Sequence, residues 1–341
     1  MFQSRFVAQA RCLSVAFFTL SLSLHGQSAI ASDDTKSSVR IATHGDGKFA
    51  ESPQGRIYYE TEGAGSVVVL IAGGPGASHA SFHPWFSRLA KQNTVVYFDN
   101  LGRGRSDALA SGLTHGVYRD ADDIEALRKA LKAPKLSVLG HSYGGLVAAA
   151  YVAKYPDSTR CAVLSNSPHS SQGWQEALET QKAMAQQQAP EVWEKILALR
   201  AKGVRSTDPR YVEAWDASEL DSYWYNPTNE SRMVPSKDPR DKFNQATYNA
   251  FLGLDPEWHV GGVLADFDPH AALLKSKART LVISGRYDRV TTPKTALEMT
   301  RMFEPGVATQ RMFEKSGHRP WVEETDDYFK VVNEFLSSCT R

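Results

Sequence analysis

The stretch LSVLGHSYGGLVAAA, at residues 136–150, decides the fold of this chain. An apolar β-rich run leads into the glycine-rich turn 140–145, and small apolar residues then continue at helical length. A serine at such a junction has its hydroxyl exposed above the sheet, and glycines flank it because a Cβ there would strike the strand or the helix. The stretch therefore predicts a strand, a tight turn and a helix, with Ser142 as a candidate nucleophile.

Similar apolar runs recur along the chain, at residues 67–71, 94–98, 136–139, 161–165, 280–284 and 309–313. Helix-length segments separate them, and in one of these the side chains of Ile124, Leu127 and Leu131 fall on one face. Near-continuous apolar strands are typical of a parallel sheet that is covered on both faces. The alternation predicts an α/β fold with a mostly parallel, doubly wound sheet.

The alternation stops between residues 167 and 269, where the patterns are helical and no convincing strand is found. This predicts a helical cap at 167–269, inserted into a core formed by 32–166 and 270–341. Five of the seven tryptophans fall in the cap: Trp174, Trp193, Trp215, Trp224 and Trp258. We expect most of them to pack the cap's own core, with the lining of an apolar substrate pocket as the alternative.

Residues 1–31 have the pattern of a cleavable secretory signal. Arg5 and Arg11 precede or flank an apolar run of 13 residues at 12–24, and the small-residue sequence AIA ends the segment at Ala31. The run is shorter than the roughly 20 residues that a membrane-spanning helix needs. The segment predicts export, either to a periplasm or out of the cell, and no membrane span.

The overall charge excludes one class of partner. The 341 residues are 42% hydrophobic, and 39 basic residues against 38 acidic ones give a net charge of +1. Loss of residues 1–31, with two arginines and no acids, changes this to 37 − 38 = −1. No whole-chain field is available to attract a nucleic acid, so we expect a small-molecule or short-peptide substrate at a local site. The sequence does not predict an oligomeric state.

Two cysteines, Cys161 and Cys339, remain once Cys12 leaves with the predicted signal. An exported protein meets an oxidising compartment, where the two thiols can pair. The alternative is one buried thiol and one thiol at the end of the chain.

A serine nucleophile needs a base and an acid that orients the base. Asp288 follows the predicted strand 280–284, and His318 follows the strand 309–313, which gives the order Ser, Asp, His. Both residues come just after strand ends, where such a sheet binds its ligands. The loop 166–172, the other place for the acid, holds neither Asp nor Glu.

Backbone N–H groups are expected to bind the oxyanion of the tetrahedral intermediate. The amide of Tyr143, directly after the nucleophile, is one predicted donor, and the amide of Gly74 in the sequence AGGPG (72–76) is the second. A cis bond before Pro75 is a possible source of the turn. No Gly-Lys-Ser/Thr follows, which excludes a phosphate-binding P-loop.

Two further pairs are weaker candidates. His79 and His83 lie four residues apart, but no third metal ligand has a matching spacing, so we expect structural or pocket-lining roles and no metal or cofactor. Arg103 and Arg105, in a glycine-rich turn, could bind phosphate, although solvated arginines are the simpler interpretation.

Four segments together resemble a known family. All four are similar to motifs of the α/β-hydrolase superfamily. Residues 73–76 resemble its HGGPG loop, and residues 99–106 resemble its D-x-x-G-x-G-x-S motif. Residues 140–145 resemble its nucleophile elbow, and residues 316–318 resemble its final histidine motif. Within it, GGPG is most similar to the proline iminopeptidase branch, which includes the tricorn-interacting aminopeptidases. The resemblance covers essentially the whole chain after residue 31.

In that branch, cap glutamates bind the free α-amino group of the substrate. The resemblance implies this role for Glu257, in a segment similar to G-x-x-E-F, and more weakly for Glu213. Two residues depart from the family pattern: Ala72 replaces the histidine of HGGPG, and Leu101 stands where arginine is usual in D-Q-R-G. Both departures weaken the case for strict specificity toward N-terminal proline.

The resemblance implies a serine hydrolase that cleaves short peptides or amino-acid amides with a free N-terminus through an acyl-enzyme. Residues 1–31 add export to this expectation, which is unusual for these largely cytosolic peptidases. The alternative is an exported carboxylesterase, lactonase or amidase that acts on an apolar small molecule in the aromatic cap. A binding module on an inactive hydrolase fold is a third hypothesis, which the complete triad argues against.

Overall fold

Apolar runs rich in valine, leucine and isoleucine form the strands of one eight-stranded sheet in the computed structural model, which describes residues 47–218 and 220–339. The predicted export signal lies outside the described residues. The strands are β1 (Lys48–Ser52), β2 (Gly55–Glu62), β3 (Ser66–Ile71), β4 (Asn93–Phe98), β5 (Leu136–His141), β6 (Thr159–Ser165), β7 (Arg279–Gly285) and β8 (Ala308–Phe313).

The strand order is β1-β2-β4-β3-β5-β6-β7-β8. The β1–β2 and β2–β4 pairs are antiparallel, and the other pairs are parallel. The mostly parallel α/β sheet that the sequence predicts is confirmed. Because β3 and β5 to β8 run in one direction, the residues that follow these strands meet at one edge of the sheet.

Ten α-helices accompany the sheet within the described residues. They are α1 (Val117–Ala130), α2 (Tyr143–Lys154), α3 (Ser171–Gln188), α4 (Pro190–Ala201), α5 (Pro209–Asp216), α6 (Gln245–Leu252), α7 (His270–Leu273), α8 (Pro293–Arg301), α9 (Pro320–Glu323) and α10 (Thr325–Ser338). Helices α1, α2 and α8 supply buried residues to the cluster on one face of the sheet, and α10 supplies them on the other. No helix in the described part of the chain is long and apolar enough to cross a membrane.

The described residues between β6 and β7 form helices and no strand. This region, which contains the segment 167–269 assigned to the cap, has a small apolar cluster of its own. Trp215 belongs to that cluster, and Trp193 and Trp258 pack against it. Trp224 instead packs with the sheet core, and Trp174 lines the cleft described below. The tryptophans therefore divide between the two roles that the sequence left open.

Candidate active site

Ser142 lies on a strained turn between β5 and α2. Its backbone has φ 56° and ψ −123°, a conformation that a residue with a side chain rarely adopts. A Cβ at Gly140 would strike the carbonyl oxygen of Gly144, and the Ser142 N–H donates to the carbonyl of Ser165 at 3.0 Å. Close packing of strand against helix thus holds the serine in the geometry of a nucleophile elbow.

Asp288 and His318 lie together beyond the ends of β7 and β8. Nδ1 of His318 is 2.9 Å from Oδ2 of Asp288, and both side chains are buried. Oδ1 of Asp288 accepts the N–H groups of Val290 and Thr291, each at 2.8 Å. Burial alone would raise the pKa of Asp288, but the charge and hydrogen bond of His318, with the bonds from its other neighbours, outweigh burial and lower that pKa. The carboxylate is therefore anionic and accepts from Nδ1.

An imidazole that donates through Nδ1 carries its lone pair on Nε2, the atom that a general base uses. Nε2 of His318 makes no hydrogen bond with any residue in the described part of the chain. The structure thus places the predicted acid and base in the required pairing, with the basic nitrogen available for a hydroxyl proton.

Asn166 also holds Asp288, and the sequence reasoning missed it. Its Nδ2 donates to Oδ2 of Asp288 at 2.8 Å and to the carbonyl of Gly317 at 3.2 Å. Asn166 directly follows β6 and has φ 51°, a left-handed conformation that asparagine tolerates. Its place just after a strand end, at the start of the loop 166–172, is the sequence signal for a residue near the site.

His141 is a second missed positioning residue. It is buried, its ring lies 4.6 Å from that of His318, and burial, followed by the nearby His318 and Arg319, lowers its pKa well below the usual value. The neutral ring donates through Nε2 to the carbonyl of His318 at 3.0 Å, because a carbonyl can only accept. His141 therefore fixes the backbone of the histidine beside it.

The two predicted oxyanion donors lie next to Ser142, one in the chain and one in the glycine loop that packs against it. Tyr143 is the first residue of α2, and a Cβ on Gly73 would lie 2.9 Å from the Cβ of Ser142, so the glycine loop touches the serine. Neither the Tyr143 nor the Gly74 amide donates to another described residue. The prediction of a cis bond before Pro75 was wrong. Among the described residues, the one cis peptide bond joins His83 and Pro84.

Arg103 links the two sides of this oxyanion region. Its Nε donates to the carbonyl of Pro75, and its Nη1 and Nη2 atoms form a bidentate pair with Asp120 at 2.9 and 2.8 Å. Asp120 also accepts the hydroxyl of Tyr143 at 2.6 Å. One buried ion pair therefore connects the loop that holds Gly74 to the residue after the nucleophile.

The interpretation of Arg103 and Arg105 as solvated was wrong. Arg103 is buried, and Arg105 is half-buried with a side chain only 8% exposed that pairs with Asp241 at 2.9 Å. The carboxylates compensate for the loss of hydration of the guanidinium groups. Arg103 also braces the glycine loop in this chain, in which Ala72 replaces the family's histidine.

Two groups of described residues have donor atoms close enough to hold a metal ion: Glu60, His79 and His83, and His79, Asp99 and Asp241. The third ligand that the sequence spacing did not supply is thus present in space. The same atoms also fit an ion-pair network: His79 lies 3.0 Å from Asp99 and 3.3 Å from Glu60. Burial would lower the pKa of His79, but these carboxylates raise it to about 9. The absence of a metal stays a prediction.

A cleft between core and cap contains the serine. The space between its atoms is about 340 Å³, part of it open to solvent. The lining residues are Ser142, Pro168, Trp174, Ala177, Leu178, Gln181, Glu257, Val290 and Thr291. Glu257 is buried, and the Tyr248 hydroxyl donates to its Oε1 at 3.4 Å. The structure therefore brings Ser142 and Glu257 to one cleft.

Glu213 is not brought to this cleft. It is exposed on α5, where the buried face consists of Tyr211, Ala214 and Trp215. These three residues pack in the apolar cluster of the cap, so the helix directs Glu213 to the opposite side. The substrate-binding role that the resemblance implied for Glu213 has no support in this geometry.

Comparisons with known proteins identify the family of this chain. Residues 66–325 match the family described as alpha/beta hydrolase fold. The proline iminopeptidase of Heyndrickxia coagulans is 28% identical over 293 residues, which are 85% of this chain and 98% of that protein. That of Saccharolobus solfataricus is 26% identical over 288 residues, 82% of this chain and 87% of that protein. The crystal structure of proline iminopeptidase from Mycobacterium smegmatis has a TM-score of 0.69 at 23% identity, covering 86% of this chain and 98% of that one.

The chain belongs to the α/β-hydrolase family, because the family match covers more than half of it. It is a serine hydrolase, and within the family its similarity lies with the proline iminopeptidase branch.

Proposed function

We propose that this chain is an exported aminopeptidase that releases the first residue of short peptides or amino-acid amides. The observation that carries the proposal is the shared cleft of Ser142 and the buried carboxylate of Glu257. A carboxylate there can bind the free α-amino group of a substrate, and its distance from the serine limits how far from the N-terminus cleavage occurs. The similarity to proteins named proline iminopeptidases supports the same substrate class.

In the proposed reaction, Ser142 attacks the carbonyl carbon of the first residue while His318 takes the serine proton through Nε2. Asp288 holds the imidazole and stabilises its charged form. The amides of Tyr143 and Gly74 donate to the oxyanion, and His318 returns the proton to the leaving amine. Water then releases the acyl group by the same steps, which regenerates the serine.

Export is part of the proposal and depends on the sequence of residues 1–31 alone. Expression of the full chain in a bacterial host, followed by N-terminal sequencing of the purified enzyme, tests it. We expect the chain to begin at or near Ser32 and to leave the cytoplasm. A cytoplasmic enzyme that keeps its first 31 residues would contradict export without affecting the proposed chemistry.

Chromogenic amides of free and N-acetylated amino acids test the amine-binding role of Glu257. Acetylation removes the substrate's positive charge, and a pair of opposite charges about 4 Å apart near a protein surface is worth about 4 kcal/mol. Loss of hydration of the two charges offsets part of this energy, so we expect kcat/KM for the free amine to exceed that for the acetylated form by about 100-fold, less than the roughly 1,000-fold that the full amount of about 4 kcal/mol would give. In Glu257→Gln this preference falls to a few fold, through loss of activity on the free amine. Equal rates for the two substrates in the native enzyme would refute the role.

A second function is favoured by the rest of the cleft. Apart from Ser142, Gln181, Glu257 and Thr291, its lining is apolar. Such a surface suits an ester or lactone of an apolar molecule, which the same acyl-enzyme chemistry would hydrolyse. Efficient turnover of p-nitrophenyl esters or lactones that is unchanged by Glu257→Gln and reduced by Trp174→Ala would favour this function over the first.

A further inference from the structure

Cys161 and Cys339 pack in the same apolar cluster on one face of the sheet, although 177 residues lie between them in the sequence. Cys161 lies on β6 and is fully buried. Cys339 follows α10, is half-buried and packs against the apolar cluster that contains Cys161. The sequence placed both thiols in the mature chain but left open whether they pair.

The neighbours of the two cysteines fix their positions. Arg279 stands opposite Cys161 in the β6–β7 register, and its Nη1 donates to the carbonyl of Ser338 at 2.9 Å. The same guanidinium lies 5.7 Å from the centre of the Phe335 ring. The residue before Cys339 is thus bound to the strand neighbour of Cys161. The two thiols also lie close enough to perturb each other electrostatically, while the Cys339 thiol donates to the carbonyl of Phe335 at 3.3 Å and the Ser137 hydroxyl lies 3.4 Å from Sγ of Cys161.

We propose that Cys161 and Cys339 form a disulfide in the mature protein, which ties the end of α10 to strand β6. The proposal rests on the proposed export only for the oxidising compartment in which the bond would form. The geometry itself is independent of export, because both residues lie in the folded core.

The bond forms by two thiol–disulfide exchanges. The neighbouring Cys161 side chain lowers the pKa of the Cys339 thiol against the effect of burial, and the charge of Arg279 lowers it further. The more exposed Cys339 thiolate attacks a disulfide oxidant, such as an exported thiol–disulfide oxidoreductase or oxidised glutathione, and one oxidant thiol leaves. The neighbouring Cys339 and burial raise the pKa of the Cys161 thiol, so Cys161 gives its proton to the departed oxidant thiolate as it attacks the Cys339 sulfur of the mixed disulfide, and the second oxidant thiol leaves. The two cysteines lose two electrons and two protons, and the oxidant is reduced to two thiols.

The bond would stabilise helix α10, which follows the proposed catalytic histidine in the chain. Helix α10 follows His318 through the short helix α9, and Tyr328 on α10 donates to the Ser165 hydroxyl at 3.3 Å. A cross-link between distant residues reduces the freedom of the unfolded chain, and it does so more as the closed loop lengthens. We expect a more stable fold with the same cleft.

The test uses the full chain carrying Cys12→Ser, so that the thiols counted are Cys161 and Cys339. The protein is purified reduced and equilibrated with oxidised glutathione, then alkylated in denaturant. We expect no alkylated cysteine before reduction, two after it, and a cross-linked peptide pair that contains residues 161 and 339. The midpoint of thermal unfolding should rise by about 4–8 °C on oxidation.

Cys339→Ser in the same background is the matched control, since its substitution is at the less buried site. Its unfolding midpoint should be the same with and without oxidant. Two alkylatable thiols after oxidation, or a cross-link between two chains, would overturn the proposal. Because oxidation is carried out in vitro, a failure of export leaves this result intact.

Discussion

The core and the cap bring functional groups to the same cleft by different means. In the core, Ser142, Asp288 and His318 follow β5, β7 and β8, so the order of the parallel strands brings them to one edge. In the cap, Glu257 lies on a loop after α6, and its place depends on how the cap packs. The positions of the proposed catalytic groups are therefore set by the topology of the sheet, and the position of the proposed specificity group is set by side-chain packing.

Different interactions also stabilise the interior of each region. Around the catalytic serine, buried charges form short pairs, such as Arg103 with Asp120. In the cap, aromatic rings stack, with Trp193 and Trp258 centred 5.7 Å apart. A change in the core should therefore affect every substrate, whereas a change in the cap should affect some substrates only.

The largest expected effect on activity comes from a substitution in the core. Asp288→Asn keeps the shape of the side chain but removes the anion that holds the Nδ1 proton of His318, so the imidazole is no longer fixed in its basic tautomer. We expect kcat to fall by about 10⁴-fold on amides and esters alike. Steady-state kinetics on both substrates measures this, with circular dichroism to verify folding. A loss of less than about 10-fold on either substrate would exclude the proposed acid.

Much of the core could be predicted because its signals are local. The six apolar runs correspond to β3 to β8, and the order of serine, acid and base follows from residues just past strand ends. Strands β1 and β2 were missed because KFAES and GRIYYETE are mostly polar strands at the antiparallel edge, where continuous apolar runs are not required.

Contacts between distant segments could not be predicted in this way. The position of Asn166 just after β6 indicates a place near the site, but not that Asp288 is its partner. Nothing local to Arg103 indicates Pro75 or Asp120 as partners. The cap shows the same limit. Family resemblance pointed to two glutamates, but only the packing of α5 reveals that Glu213 lies outside the cleft.

The next effect tests whether buried charges brace the core site. Arg103→Met removes the bidentate partner of the buried Asp120 carboxylate, which keeps its contacts with Arg119 and the Tyr143 hydroxyl. Removal of one partner of a buried pair typically destabilises a fold by about 3–5 kcal/mol, and we expect a loss at the lower end of this range. Urea unfolding measures the change. Arg286→Met is the control, because its pair with Glu314 is exposed and we expect no measurable loss. Equal stability of the two variants would show that the buried pair does not brace the core.

A smaller effect is the pH dependence of stability from His79. Its folded pKa of about 9 lies above the ordinary 6.5, so its contribution is fully present below about pH 6.5 and is lost as the pH rises through about 9. The difference corresponds to at most about 3 kcal/mol. Urea unfolding at about pH 6 and about pH 10 should show a loss that His79→Gln reduces and that the exposed control His270→Gln leaves unchanged. An identical loss in His79→Gln would assign it to other groups.

The smallest expected effect distinguishes the two cap glutamates. Glu213→Gln and Glu257→Gln make the same chemical change in the same cap, but Glu213 is exposed and Glu257 is buried in the cleft. An exposed substitution away from a site usually changes stability by less than about 0.5 kcal/mol, and we expect kcat/KM on a free-amine substrate to stay within about twofold. Kinetics of the two variants on that substrate measures the difference. A large loss in Glu213→Gln would mean that the cap repacks when substrate binds, so that α5 turns toward the serine. The two regions would then differ in mobility as well. The core would keep one arrangement, because sheet topology sets the positions of its groups, whereas the cap would change its packing when substrate binds.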